Sequence, residues 1–514
     1  MAGMDVVLQA DRPLSEAELI DVARHGAPVE ISPESLERLR AARRHVDELA
    51  ASSTPVYGIS TGFGALATRH IPADRRTQLQ RSLVRSHAAS SGDEVEAEVV
   101  RGLMLLRLQT MTTGRTGVRP ETASAYAAML NAGITPVVRE FGSLGCSGDL
   151  APLAHAALAV MGEGDVRVDG VAMTAADALS QAGISPVVLA EKEGLALING
   201  TDGMLAMLML ACADLERLAR TADLTAAMSL EALLGTDRVL AADLMAMRPH
   251  PGQQAAAANM RRLLAGSSIV ASHRGPEDTR VQDAYSIRCA PQVAGGLRDT
   301  IAYARGVAAQ EAASAIDNPV LLPDGRLESN GNFHGAPIAY VLDFLAIPTA
   351  DVASISERRT DRMLDASRSH GLPAFLAHDP GVDSGLMIAQ YTQAGLVSEL
   401  KRLAVPASVD SIPSSAMQED HVSMGWSAGR KLRRAVDALT RVLAIELMTA
   451  ARALDLRAPL IPAPATATAV AALRETVGGA GPDRYLSPEI EAVVSLVRSG
   501  AALAAAEAVT GTLE

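Results

Sequence analysis

The chain has 514 residues, 48% hydrophobic and 20% charged, a balance that supports a large buried core and excludes a wholly disordered chain. Lys and Arg number 46 against 59 Asp and Glu, a net charge of −13; an acidic chain without a basic cluster is a poor partner for nucleic acid or anionic membranes. Cys146, Cys212 and Cys289 lie far apart, which argues against a disulfide framework and for a reducing compartment.

The first residues lack the basic and apolar regions of a signal peptide, so a cytoplasmic location is expected. Ser32 followed by Pro33 marks a helix start, with Leu36, Leu39, Val46 and Leu49 on one side. Helical spacing is read at 94–113, 121–132, 202–234, 290–315, 337–359, 385–403 and 434–456. In the last of these Val436, Leu439, Leu443, Leu447 and Leu454 form the stripe and Pro459 closes it. The apolar run 203–213 is too short to cross a bilayer. Hairpins are read at 166–173, around Asp169-Gly170, and at 320–327, around Pro323-Asp324-Gly325. Glycine-rich or polar loops occupy 57–65, 139–149, 272–283, 329–335 and 477–487. The stretch 113–120 suggests a boundary between a smaller mixed N-terminal domain, 1–115, and an elongated helical-bundle domain, 116–514. Apolar stripes this wide need other helices to cover them, from this chain or its copies.

Gly142-Ser143-Leu144-Gly145-Cys146-Ser147-Gly148-Asp149 is the most informative stretch. On spacing alone it is a glycine-rich turn, with Asp149 placed to cap a helix beginning near Ala151. No Lys follows the glycines, so it is not a phosphate loop. Asp149 stands where a Gly-x-Ser-x-Gly elbow needs glycine, and a dinucleotide fingerprint has different glycine spacing.

Taken whole, the stretch resembles the signature of the histidine and aromatic amino-acid ammonia-lyases. In that family a small residue, a Ser and a Gly cyclise into 4-methylidene-imidazol-5-one (MIO). The resemblance assigns this protein-derived group to Cys146, Ser147 and Gly148, with no metal and no external cofactor. Ring closure brings the Gly148 nitrogen to the Cys146 carbonyl carbon, an approach that a residue without Cβ permits. Loss of two waters then leaves Ser147 as an electrophilic methylidene. Family members often carry Ala where this chain has Cys146, a side chain that stays outside the ring.

The resemblance extends by motif from Tyr57 to Trp426. Val56-Tyr57-Gly58-Ile59-Ser60-Thr61-Gly62-Phe63-Gly64 is similar to the family's catalytic-tyrosine loop, which makes Tyr57 the base for the substrate's β-proton. A free tyrosine has a pKa near 10, so such a site has to lower it; without the family context a tyrosine packed by its ring is the commoner reading. Asn199, in Ile198-Asn199-Gly200-Thr201, would support the MIO ring, although alone it reads as a turn residue. In Gln282-Asp283-Ala284-Tyr285-Ser286-Ile287-Arg288 the resemblance places Gln282 and Tyr285 around the MIO group, with Tyr285 a catalytic residue also implicated in forming it, and Arg288 on the substrate carboxylate. Phe333, in Asn330-Gly331-Asn332-Phe333-His334-Gly335, would line the pocket. Glu419, in Gln418-Glu419-Asp420-His421, would face the substrate amine or imidazole. Asp420 and His421 lack the spacing of a metal site. Ser86-His87 resembles the histidine-specific branch, with His87 at the far end of the substrate ring.

The resemblance therefore implies a mainly α, fumarase/aspartase-like helical lyase architecture, a homotetramer with active sites shared between chains, and elimination of ammonia from L-histidine to give trans-urocanate, the first step of histidine degradation. A tyrosine or phenylalanine ammonia-lyase or an aminomutase of the same family, and a catalytically silent helical scaffold, are the alternatives.

Overall fold

The computed structural model describes residues 5–52, 55–62, 68–275, 278 and 281–514. Its first element is a strand–helix–strand unit. Val6–Leu8 pairs in parallel with Val29–Ile31, and the helix Glu16–His25 joins them. Ser15 opens that helix with a capping box shared with Glu18, and Gly26 closes it at φ 69°; such caps are worth about 1 kcal/mol. The helix Pro33–Ala51 starts as the sequence indicates, with the Ser32 side chain accepting from the Ser35 N–H.

The helix expected from residue 94 begins only at Ala97. Ser91–Glu94 is instead drawn into an antiparallel pair with Arg139–Phe141, because tertiary pairing overrides local propensity here. Both expected hairpins form, Asp165–Val168 with Val171–Thr174 and Val320–Leu321 with Leu327–Glu328. Asp169 and Gly170 take φ 49° and 79°, the double left-handed turn that matches strand twist.

The chain folds as two compact units. One comprises Met1–Leu210, Arg305–Asp343 and Pro406–Arg430; the other comprises Ala211–Ala304, Phe344–Val405 and Lys431–Glu514. In the first, every residue of the helix Ala97–Thr112 from Gly102 onward is buried, as expected of a helix enclosed on all sides. In the second, Glu446 ties three long helices together. It accepts from Thr225 and Ser229 at 2.8 Å each, from Ser356 at 2.6 Å and from the Arg359 Nη2 at 2.9 Å. All five side chains are buried, so this carboxylate is fully compensated.

The helix Ala336–Leu364 is long and apolar enough to cross a bilayer, unlike the 203–213 run, and 61% of its most apolar window is buried inside the protein. Buried Thr349, Ser356, Glu357 and Arg359 lie along it, as in the core helix of a folded bundle.

Candidate active site

The site is built on a turn. Ser147 takes φ 50°, Gly145 80° and Gly148 82°, and the Gly148 N–H donates to the Gly145 carbonyl at 3.3 Å. The segment at Gly200 locks this turn from beside it. Gly200 N–H donates to the Ser147 carbonyl at 3.2 Å, and Asp149 N–H donates to the Gly200 carbonyl at 2.7 Å. A β-carbon on Gly148 would overlap that same Gly200 carbonyl oxygen, so both the left-handed φ and the close approach require glycine. The block after Glu419 closes the other side. Met424 N–H donates to the Leu144 carbonyl at 3.1 Å, and the Trp426 indole donates to the Glu140 carbonyl at 2.8 Å.

Asp149 does not cap the helix Leu150–Val160 that it precedes. Its backbone, at φ −100° and ψ 55°, is off the extended conformation of a helix cap. Its carboxylate turns instead to the Met204 N–H at 2.8 Å, in the first turn of the helix Asp202–Ala232, and to the Ser143 hydroxyl at 3.1 Å. Burial pushes its pKa up to about 7, against those hydrogen bonds.

A cleft of about 290 Å³ opens over the turn. Of the sequence-marked residues it gathers Tyr57, His87, Cys146, Ser147, Asn199 and Glu419; Leu83, Leu150, Leu195, Ser414 and Ser415, which no motif singled out, also line it. Tyr57 sits on a bend at Val56–Ser60, where Gly58 at φ 79° packs tightly against Leu195. Residues 63–67 of its loop lie outside the described residues. His87 ends the helix Arg76–His87. Its Nδ1 is 2.9 Å from the Leu83 carbonyl, which can only accept, so Nδ1 carries the proton and Nε2 is left as an acceptor. Burial holds the His87 pKa below the ordinary imidazole value, while the Leu83 bond and the Glu419 charge act the other way. The Cys146 thiol is pushed up by burial and by Glu419. Glu419 thus acts on both His87 and Cys146.

Asn199 is anchored from below. Its amide donates to the Leu195 and Asn318 carbonyls at 3.2 Å each. Next to Asn318, Asp317 pairs with Lys192 at 2.5 Å, both side chains being fully buried; burial pushes the carboxyl up and the amine down, and their attraction opposes both. Buried Arg107 donates to the Asn199 and Ile316 carbonyls and pairs with Asp202 at 3.4 Å.

Gln282, Tyr285, Arg288 and Phe333 do not line this cleft. In the second unit the short helix Tyr285–Arg288 carries the Arg288 guanidinium 4.4 Å above the Tyr285 ring, and Tyr285 is 70% exposed. Gln282 is exposed, and Phe333 is half-buried in the first unit. Among the described residues no three His, Cys, Asp or Glu side chains stand together as metal ligands do.

The fold is that of the helical lyases. The structure superposes on the tyrosine aminomutase of Streptomyces globisporus with a TM-score of 0.94, at 35% identity over 99% of this chain and 100% of that one. Against the histidine ammonia-lyase of Trypanosoma cruzi the TM-score is 0.90, at 39% identity over 98% and 96%. The histidine ammonia-lyase of Streptomyces avermitilis is 64% identical over 99% of this chain and 100% of its own length. The model of the aromatic amino acid lyase family matches residues 14–475, and the chain belongs to that family.

Proposed function

We propose that the chain catalyses the non-oxidative elimination of ammonia from L-histidine, giving trans-urocanate, as a cytoplasmic enzyme. The observation that carries this reading is the convergence of His87 and Glu419 on one cleft with the Cys146-Ser147 turn, in a chain 64% identical to a histidine ammonia-lyase. An imidazole presents one donor and one acceptor when neutral. His87, held neutral with a free Nε2, accepts from a ring N–H, and Glu419 accepts from the ring or from the ammonium.

The residues present fit an MIO group. Only glycine suits position 148, and the left-handed Ser147 lies in the same tight turn. The group would be made from Cys146, Ser147 and Gly148 and supply an electrophilic methylidene carbon. Tyr57 takes the β-proton; the electrons of that C–H bond form the double bond as the C–N bond breaks and ammonia leaves. Asn199 would support the group, its amide N–H being the donor for an oxygen on which charge develops.

Arg288 would hold the substrate carboxylate through its paired N–H groups, with Gln282, Tyr285 and Phe333 around the ring. We assign these four residues to sites shared between copies in a homotetramer, which accounts for an exposed Tyr285. The test is urocanate formation by the purified protein, with light scattering for the assembly. A preference for tyrosine, or a β-amino acid product, would move the reading to another member of the family.

A further inference from the structure

Ser414 lines the cleft, yet no sequence motif marks it. Its backbone is paired with Glu419: Ser414 N–H donates to the Glu419 carbonyl at 2.9 Å, and Glu419 N–H returns the bond at 3.4 Å. Ser415, Ala416 and Met417, between them, take φ 49°, 52° and 70°. None is glycine, so each carries a steric cost, and a left-handed run of this kind persists where its ends are held.

The Ser414 side chain holds one end. Its hydroxyl lies 3.4 Å from Glu419 Oε2. A carboxylate can only accept, so the hydroxyl proton goes to Glu419.

We propose that Ser414 is a positioning residue, its hydroxyl fixing the Glu419 carboxylate beside the turn where substrate binds. This rests on the reading of the cleft as a histidine site. Ser414 does not touch the reacting atoms; it acts through Glu419.

The experiment compares the parent with Ser414→Ala, Ser414→Thr and Ser414→Val. Ser414 has extended backbone, φ −139° and ψ 178°, which accepts β-branched side chains, and Thr and Val differ from each other by the hydroxyl alone. KM and kcat for L-histidine are measured. Ser414→Ala and Ser414→Val should raise KM about tenfold, with a smaller effect on kcat. Ser414→Thr should restore the parental KM. A parental KM in Ser414→Ala, or equal behaviour of Thr and Val, would overturn the proposal. A parent that forms no urocanate would instead overturn the histidine reading.

Discussion

The carbonyl oxygen of Gly200 occupies the place a β-carbon on Gly148 would take. The same oxygen accepts the Asp149 N–H at 2.7 Å, so it cannot withdraw without breaking a buried hydrogen bond. Gly148→Ala should therefore distort the turn and block cyclisation. We expect an intact mass without the loss of two waters, and activity lower by at least ~10³-fold, about 4 kcal/mol of transition-state stabilisation. A dehydrated, active Gly148→Ala protein would contradict this.

The Lys192–Asp317 pair lies under the site with both side chains buried. Removing one partner leaves an uncompensated charge in the interior. Asp317→Ala should cost about 3–5 kcal/mol, whereas Lys192→Met combined with Asp317→Leu should recover much of it. Urea denaturation of the three proteins checks this, and a single variant as stable as the parent would count against it.

His87 decides substrate choice in this account. A cleft lined by His87 and Glu419 leaves both groups desolvated and unpaired when a phenyl ring enters, and discrimination of about 10⁴ is attainable in that way. His87→Leu should lower kcat/KM for histidine and shrink its ratio to phenylalanine. Ratios unchanged in the variant would remove His87 from the specificity mechanism.

The pH dependence has a definite sign. Burial depresses the His87 pKa, and the Glu419 charge raises it. His87 is thus neutral at pH 7 and gains its proton only below the ordinary imidazole range. Glu419→Gln removes the opposing charge, so the acid limb of kcat/KM should move to still lower pH, with turnover reduced. The substrate's own imidazole titrates alike in both proteins, so the difference belongs to the enzyme. A limb moving upward would reverse the assignment.

If sites are shared between chains, Tyr57 and Arg288 of one site belong to different copies. Tyr57→Phe and Arg288→Ala should each be nearly inactive alone, the latter losing several kcal/mol of carboxylate binding. Tetramers assembled from both variants should regain measurable activity, because some sites then hold two intact residues. Mixed tetramers as inactive as either parent variant would place both residues in one chain's site.

Much of this was legible in the sequence, for physical reasons that differ by position. The helix after Ser32 and the hairpin at Asp169-Gly170 are set by local chemistry, a cap and a left-handed turn, and both form. The pairing of Ser91–Glu94 with Arg139–Phe141 depends on partners far apart in the chain, and spacing carries no sign of it. Asp149 looked like a local cap; its carboxylate reaches Met204 instead. Tyr57, His87, Cys146, Ser147, Asn199 and Glu419 do meet in one cleft, while Ser414 and the Lys192–Asp317 pair stayed hidden. A serine in a polar loop and two ordinary charges acquire meaning only from what they touch.

The most direct test of the central claim is spectroscopic detection of urocanate from L-histidine by the purified protein and by Ser147→Ala. The parent should form urocanate and release ammonia in equal amount. Ser147→Ala should fold and assemble normally but turn over at least ~10³-fold more slowly. Near-parental turnover by Ser147→Ala, or a parent inert toward histidine, would contradict the account.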